Sequence, residues 1–235
     1  MLSHVDRYVR PDASSAGRHR VTTLRAVLKL SSAVLLVVLA HTSLCFAAAA
    51  GTVTEIRGDV TVKRPGSEKP VALSKDDGFF AGDVIKTGKG AAVQLAFPDG
   101  TFMNIAEGGA VRVNQYTYDE TTKRRSAHIR VLAGLARIVV MPQESLESVL
   151  HAETDSARIT AGMSADFVVN VTSVGTEVAV LDKTATVANV ASYIVGTMQL
   201  RINEKVVVTV KAPPSKASIL TSEERKSFIK GTRIY

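Results

Sequence analysis

Residues 93–105 read Val-Gln-Leu-Ala-Phe-Pro-Asp-Gly-Thr-Phe-Met-Asn-Ile. Val93, Leu95 and Phe97 alternate with Gln94 and Ala96, and a second apolar run, Phe102–Ile105, follows Asp99-Gly100. Successive side chains on a strand point to opposite faces, so this alternation places one set on a buried face. Asp-Gly between two such runs marks a hairpin, because the turn needs backbone at positive φ. The stretch predicts two antiparallel strands joined by a tight turn.

The same pattern extends both ways. Val111 and Val113 flank Arg112, Ile129 and Val131 flank Arg130, and Val206, Val208 and Val210 enclose Val207 and Thr209. Gly58-Asp59, Gly82-Asp83 and Gly108-Gly109 punctuate the runs. No useful stretch of helical period lies between Gly51 and Lys211, and about fifteen short strands are expected there. Ile138–Met141, Phe167–Val169 and Val206–Val208 are apolar on both faces, which suits strands covered on both sides. The expected fold is all-β, with many short strands in a coiled, solenoid-like or sandwich-like arrangement. Ala212-Pro213-Pro214-Ser215 then breaks the pattern, and Thr221 with Glu224 forms a capping box that opens a short C-terminal helix through about Lys230. Phe228 and Ile229 are placed to dock that helix on the β body.

The chain has 235 residues, 46% of them apolar, 22% charged and 5% aromatic, with one Cys and no Trp. That composition excludes a disordered chain, a disulfide scaffold, a coiled coil and a multi-span membrane protein. The formal charge is +7, but residues 1–50 hold six Lys/Arg against two Asp/Glu, leaving 23 against 20 beyond them, a net of +3. Leu30–Leu44 reads LSSAVLLVVLAHTSL, preceded by Arg18, Arg20, Arg25 and Lys29 and followed by Ala47–Ala50. A basic segment, a short apolar core and an Ala-x-Ala exit make a secretory signal peptide, with cleavage expected at Ala49 or Ala50. Leu44 directly before Cys45 argues against lipidation. Removal of residues 1–50 takes the one cysteine with it, and with it disulfides and thiolate chemistry. The sequence thus divides into residues 1–50, a signal peptide; 51–211, an all-β domain; and 212–235, a Pro-containing linker and helical tail.

The block Gly82-Asp83-Val84-Ile85-Lys86-Thr87-Gly88, followed by Val93-Gln94-Leu95-Ala96-Phe97-Pro98-Asp99-Gly100-Thr101, resembles the FecR domain of exported and membrane-anchored bacterial proteins. Gly58–Val62 precedes the match, and weaker echoes run through Arg130–Gly134 and Gly175–Val180. Family members carry an Arg-Gly-Thr-acidic-aromatic element before one strand. Here Ala161-Gly162-Met163-Ser164-Ala165-Asp166-Phe167 keeps the glycine and the aromatic but not the Arg and Thr. FecR-type regulators also place an anti-sigma segment before their membrane helix. Fewer than thirty residues precede the apolar run here, so the resemblance implies a periplasmic β domain without that segment.

Chemistry is sparse. Beyond residue 50 the histidines are His128 and His151, without metal-ligand spacing, and no Gly-x-Ser-x-Gly elbow is present. Gly82–Gly90 superficially matches a phosphate loop, but its spacing is one residue too long and no Ser/Thr follows the Lys. No catalytic residue, cofactor or metal is therefore expected. Lys123-Arg124-Arg125, with Tyr116 and Tyr118 before it, is the candidate partner-binding patch, suited to an anionic glycan or headgroup; the bland alternative is a solvated turn. The net charge of +3 and the export signal disfavour nucleic acid. The expected function is an exported, non-enzymatic periplasmic binding or scaffold module whose partner is an envelope protein or an anionic polysaccharide. The alternative is an uncleaved signal anchor holding a sensor domain at the inner membrane, where it would serve sigma-factor signalling.

Overall fold

The computed structural model describes residues 48–234, so the expected signal peptide, residues 1–50, lies outside the described residues apart from its last three positions. In chain order the strands are β1 (Gly51–Arg57), β2 (Val60–Lys63), β3 (Val71–Ala72), β4 (Gly78–Phe79), β5 (Val84–Thr87), β6 (Ala92–Ala96), β7 (Phe102–Ile105), β8 (Ala110–Asp119), β9 (Arg124–Val140), β10 (Val149–Glu153), β11 (Ala157–Ala161), β12 (Ala165–Val171), β13 (Thr176–Asn189), β14 (Thr197–Arg201), β15 (Glu204–Val208) and β16 (Ser218–Ile219). Helix α1 (Ser222–Gly231) closes the chain. The fold is all-β with one short helix among the described residues. No helix of the described residues is long and apolar enough to cross a membrane.

The hairpin expected at Asp99-Gly100 forms as β6 and β7, with Leu95 opposite Met103. Gly100 has φ +84°, and its N–H donates to the Phe97 carbonyl. Pairing then builds two layers. The first runs β4, β1, β6, β7, β9, β12, β13, β15, β16; the second runs β3, β2, β5, β8, β9, β10, β11, β13, β14. Strands β9 and β13 belong to both. Between them, β9, β12, β13, β11 and β10 close a ring in which each strand pairs with the next. Periodicity left sandwich and solenoid open; the chain forms two layers that exchange two long strands and close on themselves.

Strand β9 shows why. Seventeen extended residues would reach about 55 Å if straight, yet only residues 141–148 link its end to β10, whose Val149 pairs with Ser126 near the start of β9. Eight residues span at most about 29 Å, so β9 must fold back on itself. It bends at Gly134, φ +75°, where an added Cβ would lie 2.8 Å from the Cα of Gly109. Val93, Leu95, Ile138 and Phe167 from one layer meet Ile85, Val111, Ile129 and Leu150 from the other in one continuous core.

A buried ion pair ties this closure. Arg125, at the start of β9, has no exposed side-chain surface and lies 2.7 Å from Oδ2 of the equally buried Asp99. Its Nη1 also donates to Met141 O, just past the end of the same strand, at 3.2 Å. Its Nη2 donates to Gly162 O at 2.7 Å. One guanidinium thus joins the β6–β7 turn, both ends of β9 and the loop before β12. Asp99 further accepts from the Tyr116 hydroxyl at 2.7 Å, and the Tyr116 ring stacks on Phe97 at 4.0 Å.

Of the runs expected to be covered on both faces, Phe167–Val169 is fully buried, because α1 and its approach lie on the outer side. Leu220, Phe228 and Ile229 pack there against Val168, Ala179 and Leu181. The expected capping box is present, with Thr221 Oγ1 accepting from Glu224 N–H. Arg225 donates to Leu181 O at 2.8 Å, and Asn104 to Thr232 O at 3.0 Å. Val207, by contrast, stays 39% exposed, and Val210 falls outside its strand at 56%. The tail therefore belongs to the same compact unit as the sheets.

Arg125→Met is expected to destabilise the fold by about 3–5 kcal/mol in urea unfolding, because it strands the buried Asp99 carboxylate. Removing both charges, as Asp99→Asn with Arg125→Met, costs less than that single change. Phe228→Ala, which acts on a half-buried ring, is expected to lower stability by about 1–2 kcal/mol, below the ~3–5 typical of a fully buried Phe; a melting curve reads it.

Candidate functional site

The expected patch divides into surface and core. Lys123 is exposed on the turn between β8 and β9, where Asp119 Oδ1 accepts from the N–H groups of Thr121 and Thr122, and Arg124 is exposed at the first position of β9. Tyr118 is half-buried at the end of β8. Tyr116 and Arg125 lie elsewhere than the expected surface patch: both side chains face the interior and hold the Asp99 hub. A bulge in β8 between Val113 and Gln115 is the physical reason for Tyr116, whereas Arg125 shares the inward face of β9 with Ala127 and Ile129. An extra residue reverses the phase of a strand, so Val111 and Val113 point inward and, beyond the bulge, Tyr116 does too. Burial, then the nearby Asp99 charge, push the Tyr116 phenol far above its ordinary pKa. The element Ala161–Phe167, which lacks its own arginine, still receives one: the Arg125 guanidinium sits on the Gly162 carbonyl. Ala49 is exposed, whereas Ala50 is buried and its N–H donates to Phe79 O at 2.8 Å.

What remains on the surface is a polar trough on the outer face of the second layer. One part, about 500 Å³, is lined by Tyr118, Asp119, Arg124, Ser126 and Glu147 among others. Arg124 Nε stands 3.3 Å from Glu147, so its charge is partly neutralised. A second part, about 300 Å³, shares Ser126 and is lined by His128, His151, Glu153 and Arg158. Parallel pairing of β9 with β10 sets His128 directly beside His151, a juxtaposition invisible in a sequence where they stand 23 positions apart.

Glu153 connects this part. It accepts from Arg158 at 2.6 Å and lies 3.0 Å from His128 Nε2. Burial works to raise its pKa, but the hydrogen bonds from Arg158 and His128, with their charges, outweigh it and the net direction is down. His151 Nδ1 lies 3.1 Å from Thr160 Oγ1. Burial first, and then the Arg158 and His128 charges, lower the His151 pKa. The hydroxyl neighbour thus belongs to one imidazole and the carboxylate to the other, which separates the parts a nucleophile relay would need together. Among the described residues no group of three or more His, Cys, Asp or Glu is placed to hold a metal ion.

Because the fold favours neutral His151, its contribution is full above the ordinary histidine pKa of 6.5 and is lost as pH falls through the lowered folded value. His151→Gln is therefore expected to flatten the fall in melting temperature below pH 6.5, which a pH series of thermal melts reads directly.

Residues 83–186 match the family model described as FecR protein. Two crystal structures of a candidate anti-sigma factor from Parabacteroides distasonis are similar, each at 19% identity and TM-score 0.49 over 63% of this chain. The match covers 65% and 64% of those chains, so less than two thirds of their length is represented. No curated protein sequence matches the chain. The family match runs from the start of β5 into β13 and so includes the Asp99 turn, the closed ring and the trough. This chain carries a FecR domain over residues 83–186.

Proposed function

We propose that this FecR-domain chain is an exported, non-enzymatic module of the periplasm that binds or scaffolds an envelope partner through the outer face of its second layer. The observation that carries the reading is the trough, where Tyr118 and Arg124 meet the polar row of His128, His151, Glu153 and Arg158 on rigid strands. A polar trough on a sheet face held by a closed ring suits recognition better than turnover, since its hydroxyl and carboxylate partners serve different imidazoles. Export rests on the signal segment, and the packing of Ala50 against the β body supports cleavage at Ala49.

A second reading comes from the FecR match together with the apolar run Leu30–Leu44: an anchored sensor component of a signalling system, with the β domain held at the inner membrane. One measurement separates the two. The N-terminal residue and intact mass of the protein recovered from its native envelope are expected to show a soluble chain beginning at Ala50 or Gly51. A full-length chain in the membrane fraction would replace the free module by the anchored sensor.

A further inference from the structure

A separate surface at the N-terminal end of the second layer carries a stronger charge signal than the trough. Lys63 on β2 pairs with Val84 on β5, Val84 with Arg112 on β8, and Arg112 with Arg130 on β9. Three strand steps make a row about 14 Å long, with cations at three of its four places. Like charges directly opposite one another on neighbouring strands are destabilising, and Arg112 opposite Arg130 is such a pair. Arg130 has an anionic partner in Asp155, but Lys63, Arg64 and Arg112 have no ion pair among the described residues.

These three side chains line an open pocket of about 570 Å³ with Pro65, Ser67 and Gly82. No acidic residue lines it. Asp83, next in sequence to Gly82, is fully buried and accepts from Phe80 N–H, while exposed Glu68 is offset by its neighbour Lys69. The wall is fixed before any ligand arrives. Arg64-Pro65-Gly66-Ser67 is a turn closed by Ser67 N–H to Arg64 O at 3.1 Å, with Gly66 at φ +76°. Pro65 presses on Gly82, where an added Cβ would lie 2.5 Å from Pro65 Cγ. The Arg64 guanidinium stands over the Phe80 ring at 5.3 Å.

We propose that the pocket formed by Lys63, Arg64 and Arg112 is a binding site for a linear acidic polysaccharide. A row of cations in an open, pre-formed groove matches several negative charges in line better than one compact anion. No exposed large apolar side chain lines the pocket to insert into a bilayer. The Tyr118 trough, with Asp119 and Glu147 beside Arg124, is mixed in charge, so the anionic glycan expected there belongs at this second surface. The assignment rests on the binding-module reading only for which glycans the protein meets; affinity in solution stands alone, so a soluble mature chain that ignores acidic sugar would overturn this site and leave that reading standing.

The test is calorimetric titration of the full chain from its envelope fraction, at low salt, with hexagalacturonate, neutral maltohexaose, inorganic phosphate and phosphatidylglycerol vesicles. Hexagalacturonate is expected to bind and maltohexaose not to, with affinity falling as salt is added. Lys63→Gln, Arg64→Gln and Arg112→Gln together should weaken binding at least tenfold, while Lys216→Gln, Lys226→Gln and Lys230→Gln, which remove equal charge elsewhere, should leave it within twofold. If the first triple variant does not fold, Arg112→Gln alone should weaken binding at least threefold. Absence of hexagalacturonate binding, or equal loss in both triple variants, overturns the site. Phosphate saturating it at the same concentration would make it a small-anion site, and vesicle binding lost with the same residues would assign it to the membrane; either also overturns the proposal.

Discussion

Arg125 and Asp99 are a charge pair removed wholly from water, and the architecture turns on their contact. Taking two ions out of water costs several kcal/mol each, and the cost is recovered only where geometry and extra hydrogen bonds are good. Here the guanidinium reaches one carboxylate and the carbonyls of Met141 and Gly162, which belong to segments far apart in sequence. Had the hydrophobic effect alone closed the structure, any apolar residue would serve. A planar, multi-donor group instead imposes direction: the β6–β7 turn, the two ends of β9 and the loop before β12 must converge on one point.

Convergence at that point is what lets a single strand serve two layers. Strand β9 bends at Gly134, leaves one sheet for the other, and returns its end to its beginning. The pairing of β10 parallel to the first half of β9 follows, and with it the alignment of His128, His151, Glu153 and Arg158 on one face. The surface chemistry of the second layer is therefore a consequence of the closure rather than of any local motif. The cationic row at the other end arises by the same route, from the lateral stacking of β2, β5, β8 and β9.

Much of this was legible along the chain, and the residues show why. Val93, Leu95 and Phe97 announced a strand because burial on one face demands period two, and all three are buried. Asp99-Gly100 announced the turn because a positive φ favours glycine. Thr221 and Glu224 announced the helix because the capping bonds span only three residues. The patch of Tyr116, Tyr118, Lys123, Arg124 and Arg125 was legible only in part. A bulge in β8 leaves no compositional trace, yet it turned Tyr116 inward, and the buried partner of Arg125 lies 26 positions away. The pocket of Lys63, Arg64 and Arg112 could not be read as a unit, since Arg112 comes from β8, 48 positions beyond Arg64.

The class of the fold, the places of its turns and the capped helix were set locally along the chain, because each depends on contacts among residues a few positions apart. Tertiary structure decided which of the apolar runs were covered twice, which charged side chains entered the core, and which cations came to stand side by side. Those outcomes depend on the lateral order and register of strands. Register couples residues through backbone pairing between segments tens of positions apart, so no local pattern encodes it.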